Sequence, residues 1–262
     1  METIGSMEEK VLLSALHLKK KYRLNRKNVF FAVDDVSLDI LQGETLALVG
    51  ESGCGKSTLA KLLMQIIRAN DGSVYYEGQE ISRLSERELL PFRKEMQMVF
   101  QDPASSLDPR MKIRDIISEP LKTWHMYDTP SAMNDRLLEL LDMVELKPDC
   151  LDRYPHQFSG GQKQRIGIAR AISVNPALLV CDESVSALDV CVQAQILNLL
   201  KKLKAELKLT CLFISHDLSV VNFIADRVCV MKNGKICELA SSEKIYSAPE
   251  NEYTKYLLSS VP

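Results

Sequence analysis

With 262 residues, 46% of them apolar and 26% charged, the chain has an ordinary globular make-up and the length to bury a full core. A formal net charge of -2 argues against nucleic-acid binding through bulk positive charge, and no run approaches the roughly 18 apolar residues of a membrane span. Seven cysteines, an odd number with no C-x-x-C pair, point away from a disulfide framework or a zinc site and toward reduced thiols.

The first ten residues hold three glutamates and no basic segment followed by an apolar core, so no secretory signal is expected. Phe31 to Ile40 alternates through Val33, Val36, Leu38 and Ile40, which predicts a strand. Glu44–Val49 is a short apolar run of strand length, and Leu59–Ile67 recurs at helical spacing. Between them, Gly50-Glu51-Ser52-Gly53-Cys54-Gly55-Lys56-Ser57 fits the phosphate-loop pattern G-x-x-x-x-G-K-[ST] at every fixed position.

That context gives the motif a physical meaning. Glycines let Gly50, Ser52, Gly53, Cys54 and Gly55 curl so that successive N–H groups face one centre, and the helix start adds partial positive charge there. Lys56 reaches the outer phosphates and the Ser57 hydroxyl ligates Mg²⁺; Thr58, next in the chain, is the last residue of the candidate nucleotide-binding set. Kinases, GTPases, helicases and transport ATPases share this loop, so it predicts a nucleoside triphosphate without saying what the triphosphate is for.

Further along, Ser73–Tyr76 is a second strand candidate. A helix-rich middle follows, with apolar spacing in Ile113–Leu121 and Leu137–Val144, bounded by Pro103, Pro109, Pro130 and Pro148. In Phe158-Ser159-Gly160-Gly161-Gln162, Ser159 and Gln162 have capping-box spacing, so the two glycines open a helix whose free N–H groups suit an anion. From Ile166 the pattern alternates helix and strand, as in a parallel sheet with crossover helices. Ala177–Glu183 reads as a buried strand delivering two acids to a sheet edge: Asp182 to hold Mg²⁺, Glu183 to polarise water. Arg227–Cys237 is a predicted hairpin with a type I′ turn at Asn233-Gly234, and a short helix is predicted over Tyr253–Ser260. Cys54, Cys181 and Cys211 fall in or beside strand-like runs and are expected to be buried apolar side chains.

Together the phosphate loop, the Ser159–Gln162 segment and the acid pair resemble the nucleotide-binding subunit of an ATP-binding cassette (ABC) transporter, over nearly the whole chain and in the family's order. The resemblance implies an α/β fold: a P-loop NTPase, RecA-like core with a mainly parallel sheet, an N-terminal antiparallel β subdomain, and an α-helical subdomain inserted at about 102–165, all within one ATP-binding domain over 1–262. It makes Gln101 a lid glutamine that contacts Mg²⁺ and senses the membrane subunit. Ser159, Gly160, Gly161 and Gln162 become the signature that binds the γ-phosphate held by an opposing subunit. Ser186 and Asp189 lie in the loop that crosses between subunits, and His216 is the switch histidine. The adenine stacks on an aromatic after the first strand; Tyr22 fits, with Phe30 and Phe31 as rivals.

Finer features resemble the peptide-permease group, which also contains nickel importers. These are Met98–Pro103 followed by Leu107–Arg110, Ala187–Val190 followed by Gln193–Leu197, and the tail Tyr253-Thr254-Lys255 with Leu257 and Leu258. Ser184 departs from the proline that many members carry, and no cysteine-bearing iron–sulfur segment is expected after Pro262. The implied partners are a second ATPase subunit (identical or paralogous), two transmembrane permease subunits and, indirectly, an extracellular solute-binding protein. No nucleic acid is implied, and the location is the cytoplasmic face of the cell membrane. The cofactors implied are ATP and Mg²⁺. Alternatives are an importer of nickel or another small solute, and a soluble ABC ATPase outside transport. A small-molecule kinase would not need the signature.

Overall fold

The computed structural model describes residues 10–23, 29–102, 105–185 and 188–259. The chain runs through β1 (Val11–Arg23), β2 (Val29–Leu41), β3 (Thr45–Val49), α1 (Lys56–Leu63), β4 (Asp71–Tyr76), β5 (Gln79–Glu80), α2 (Glu86–Glu95) and β6 (Met96–Val99). Three helices follow: α3 (Ile113–Thr123), α4 (Pro130–Met143) and α5 (Gly160–Ile172). The remainder is β7 (Leu178–Asp182), α6 (Val190–Leu207), β8 (Thr210–Ser215), α7 (Leu218–Ile224), β9 (Arg227–Lys232), β10 (Lys235–Ser241), α8 (Ser242–Ser247) and α9 (Glu252–Ser259).

Two sheets result. One is antiparallel, in the order β2-β1-β4-β5; the other has the order β10-β9-β3-β8-β7-β6 and is parallel except at the β10 edge. This is the α/β architecture that the motifs imply. In the parallel sheet, Val49 pairs with Ser215, Asp182 with Ile214, and Val99 with Cys181. The carboxyl ends of β3, β6, β7 and β8 therefore reach one edge together, and the residues after each are neighbours there. In open α/β sheets that edge is where ligands bind.

Helices cover one face, and α1, α2 and the antiparallel sheet cover the other, so the parallel strands are apolar throughout and their side chains alternate between two cores. Ala47, Val49, Leu179, Cys181, Cys211 and Phe213 enter one; Leu46, Leu48, Leu178, Val180, Leu212 and Ile214 enter the other. Each fully buried large side chain contributes roughly 1.5–3 kcal/mol of transfer free energy, set against the entropy of ordering it. The expected burial of Cys54, Cys181 and Cys211 holds.

Several element boundaries differ from the sequence reading. α1 stops at Leu63 instead of running to Ile67, because Gln65 takes a left-handed φ of 54°. α3 continues past Leu121 with Pro120 inside it, and α4 begins at Pro130, where a proline in the first turn loses no helical bond. Thr129 caps that start by accepting from Ala132 N–H at 3.2 Å. α2 has no counterpart in the periodicity, yet Ser85 and Glu88 form a complete capping box at its start. The predicted hairpin is present: Asn233 and Gly234 have φ of 48° and 80°, the double positive φ that a type I′ turn demands.

Candidate functional site

The phosphate loop leaves β3 at Val49 and enters α1 at Lys56. It is threaded between two other strands. A Cβ on Gly50 would stand 2.1 Å from the Met231 carbonyl oxygen, and one on Gly55 would stand 2.0 Å from that of Ala32. Both glycines also have positive φ, so no other residue type fits either position. Lys56 is buried, and its Nζ donates to the carbonyls of Gly50 at 2.8 Å and Glu51 at 2.9 Å. The ammonium thus lies inside the concavity formed by its own loop.

Ser57 opens the first turn of α1, and its Oγ donates to Asp182 Oδ1 at 2.9 Å. Asp182 ends β7 and is 6% exposed; burial pushes its carboxyl up, while the Ser57 hydrogen bond pulls it down. The hydroxyl and the carboxylate are hard oxygen donors side by side. Mg²⁺ is typically held by one or two such protein ligands, with water and substrate phosphates filling the rest of its octahedron, so the pair fits that ion. Among the described residues no cluster of three His, Cys, Asp or Glu competes as a metal site.

Glu183 follows immediately, with a left-handed φ of 45° and its N–H donating to Ile214 O at 3.1 Å. A non-glycine residue held there stores roughly 1–3 kcal/mol of strain, and the turn swings the side chain off the strand axis toward its neighbours. Its Oε2 accepts from Gln101 Nε2 at 2.9 Å and lies 3.6 Å from His216 Nδ1. Gln101 follows β6 and His216 follows β8, so the three are gathered by the aligned strand ends.

A cavity of about 280 Å³ opens over these groups. Its floor is Ser52, Gly53, Gly55, Lys56, Ser57 and Thr58, and its far wall is Gln101 and Glu183. Tyr22 and Phe30, which pair across β1 and β2, form the outer wall with Ala32. Phe31 is not part of the lining. The cross-strand pair leaves two aromatic rings about 40% exposed at the cavity mouth, Tyr22 at 42% and Phe30 at 43%. Ala32 escaped the sequence reading because its contribution is a backbone carbonyl behind Gly55, which no side-chain motif signals.

The Ser159–Gln162 segment is elsewhere: none of its residues lines the cavity. Ser159 Oγ accepts from Gln162 N–H at 3.3 Å and Gln162 Oε1 from Ser159 N–H at 3.1 Å, the predicted capping box. Neither glycine amide takes part in it. Asp189 caps α6 by accepting from Val192 N–H at 3.0 Å, and the same turn packs on the signature. A Cβ on Gly161 would lie 2.4 Å from Val192 Cγ1, whereas one on Gly160 would meet only the end of Leu188, at 3.3 Å. Gly161 is therefore a packing requirement as well, a role its motif does not reveal. Ser186 lies outside the described residues.

A family model described as ABC transporter matches residues 33–186. The putative oligopeptide transport ATP-binding protein YkfD of Bacillus subtilis (strain 168) is 51% identical over 96% of this chain and 76% of its own length. The oligopeptide transport ATP-binding protein OppF of the same organism is 50% identical over 98% of this chain and 84% of its own. Among solved structures, the ATP-binding cassette MJ0796, dimeric in a post-hydrolysis state with ADP and Pi, superposes with a TM-score of 0.81 at 30% identity. It covers 88% of this chain and 99% of that one. With the family model over residues 33–186 and relatives at about half identity, a phosphate loop, a separate glycine-opened helix and an acid-ended strand, in this order on this fold, place the chain in the ABC transporter family.

Proposed function

We propose that the chain is the ATP-binding and ATP-hydrolysing subunit of an ABC importer, with di- and oligopeptides as cargo. One observation carries the ATPase reading: Lys56, Ser57, Gln101 and Glu183 line one cavity, with Asp182 bonded to Ser57 and His216 beside Glu183, while the signature glycines are not part of its lining. The peptide cargo is supported by relatives at about half identity whose names specify oligopeptide or dipeptide transport.

In this reading Lys56 and the loop amides hold the phosphates, and Tyr22 or Phe30 stacks the adenine. Ser57, Asp182 and Gln101 face Mg²⁺, which when bound neutralises charge on the phosphate oxygens. Glu183 orients a water and takes its proton, with Gln101 fixing the carboxylate that does so. His216 stabilises charge on the γ-phosphate. Catalysis is then positioning plus electrostatic stabilisation, as phosphoryl transfer requires. Because Ser159, Gly160, Gly161 and Gln162 do not line the cavity of their own chain, they serve the ATP of a second subunit, with Asp189 near the crossing point. Two such sites form only in a pair, so ATP joins the subunits and hydrolysis parts them.

No helix among the described residues is long and apolar enough to cross a membrane. Attachment to two permease subunits at the cytoplasmic face accounts for the transport role, with a solute-binding protein acting outside. The helical unit at about 102–165 follows Gln101 and carries the signature near its end, so it links the two. The test is co-purification with the membrane partners, reconstitution in vesicles, and uptake of labelled peptides and of nickel. ATP-dependent peptide uptake is the expected result; nickel uptake without peptide uptake would overturn the cargo, and neither would overturn the transport role.

A further inference from the structure

Tyr253 lies in α9, far along the chain from the phosphate loop, and only 7% of it is exposed. Its hydroxyl oxygen accepts a hydrogen bond from the Glu51 N–H at 3.3 Å. The carbonyl of the same Glu51 accepts from Lys56 Nζ at 2.9 Å and from Cys54 N–H at 3.3 Å. Glu51 is thus gripped on both sides of its residue: the tail holds its amide, and the phosphate-binding lysine rests on its carbonyl.

The tail is constructed to bring that hydroxyl to the loop. β10 shifts register against β9 between Ile236 and Glu238, and the Glu238 carboxylate accepts from the N–H groups of Glu250 at 2.8 Å and Asn251 at 3.1 Å. Asn251 then fastens both neighbours, its Oδ1 accepting from Tyr253 N–H at 2.9 Å and its Nδ2 donating to Cys237 O at 3.3 Å. Lys232 Nζ sits 4.3 Å from the centre of the Tyr253 ring. The ring is therefore fixed on the β9–β10 hairpin, and β9 is the strand whose Met231 carbonyl presses on Gly50. Tail, hairpin and loop form one connected set of contacts.

We propose that Tyr253 is a positioning residue for the ATP site, its hydroxyl fixing the Glu51 peptide so that docking of the C-terminal tail sets the affinity of the phosphate loop for nucleotide. The proposal rests on the phosphate-loop reading above. Burial pushes the Tyr253 phenol up, so the hydroxyl keeps its proton across the working pH range. By linkage the coupling runs both ways: a tail that tightens nucleotide binding is itself held more firmly when nucleotide is bound.

The test uses the purified full-length chain and MgATP. Tyr253→Phe removes one oxygen and keeps the ring, so ATP affinity should weaken roughly 2- to 10-fold, the equilibrium effect of one ordinary hydrogen bond. In the assembled complex KM for ATP should rise by the same factor while kcat stays within about twofold, the pattern of a lost uniform binding contact. The melting temperature without nucleotide should stay within a few degrees of the parent. Asn251→Ala, which loosens the tail from β10 and leaves the loop intact, should shift affinity in the same direction. In hydrogen exchange, MgATP should slow the α9 amides of the parent and do so less in Tyr253→Phe. Parent-like ATP affinity in folded Tyr253→Phe overturns the positioning role, as does a weakening matched by a collapse of nucleotide-free stability. Lys56→Ala separates the two readings: if it has lost ATP binding while Tyr253→Phe has not, only the positioning role fails; if both bind normally, the phosphate-loop reading fails as well.

Discussion

Gln101 Nε2 donates to Glu183 Oε2 across 2.9 Å, tying the segment after β6 to the residue after β7. The contact is one that a glutamine at position 183 can still make, since its amide oxygen also accepts. Glu183→Gln should therefore keep the arrangement of the site and remove only the base. ATP binding should be preserved and turnover should fall by roughly 10²–10⁴, the usual contribution of a positioned proton acceptor. Bound nucleotide would no longer be cleared, so the variant should accumulate as an ATP-bound pair on size exclusion. Hydrolysis at the parent rate would remove Glu183 from its role.

The loop glycines differ in what a methyl group would meet. At Gly55 a Cβ falls 2.0 Å from the Ala32 carbonyl, which is backbone and cannot swing aside; at Gly53 nothing lies within 4 Å, and only the positive φ of 79° opposes a side chain. Gly53→Ala should cost about 1–2 kcal/mol of folding stability, the left-handed penalty alone. Gly55→Ala should cost clearly more and abolish ATP binding. Denaturant midpoints for the two variants check the order, and equal midpoints would contradict the threading of the loop against β2.

Thiol reactivity should follow burial. Desolvation pushes the Cys211 and Cys229 thiols up to about 12 and the Cys181 thiol well up, so at neutral pH all three are protonated and poor nucleophiles. Cys191, at the exposed start of α6, is open to reagent. Brief treatment of the native chain with N-ethylmaleimide at pH 7.5 (about one unit below an ordinary thiol) should label Cys191 first and leave Cys181, Cys211 and Cys229 unmodified by mass spectrometry. Early labelling of any of those three would mean that the strands carrying them open readily.

Much of this is legible in the sequence, because the local patterns are strong. The phosphate loop, the acid-ended β7, the capping box at Ser159 and the Asn233-Gly234 turn each need specific residue types at fixed spacing, and each stands where its pattern puts it. What escaped has a common physical character. α2 has few apolar residues to set a period, and its capping box was the available signal. The contacts of Ala32, Val192 and Tyr253 join segments far apart in sequence, through a backbone carbonyl, a methyl group and a phenol. No spacing rule reports such contacts.

The central claim is that the catalytic site is divided between two chains. Gly160→Asp tests it well, because a Cβ there meets only the flexible end of Leu188 at 3.3 Å, and the phosphate loop of the same chain is untouched. The added carboxylate would stand where a partner's phosphate must sit and would oppose the favourable field of the α5 N-terminus. The measurement is ATP affinity of the isolated Gly160→Asp subunit alongside ATP turnover of the assembled complex. Near-parent affinity with steeply reduced turnover is the predicted result, with part of the turnover restored when Gly160→Asp and Lys56→Ala are placed on opposite subunits so that one composite site stays whole. Loss of ATP binding by the lone, folded Gly160→Asp subunit would contradict the account, since the signature would then belong to the site of its own chain.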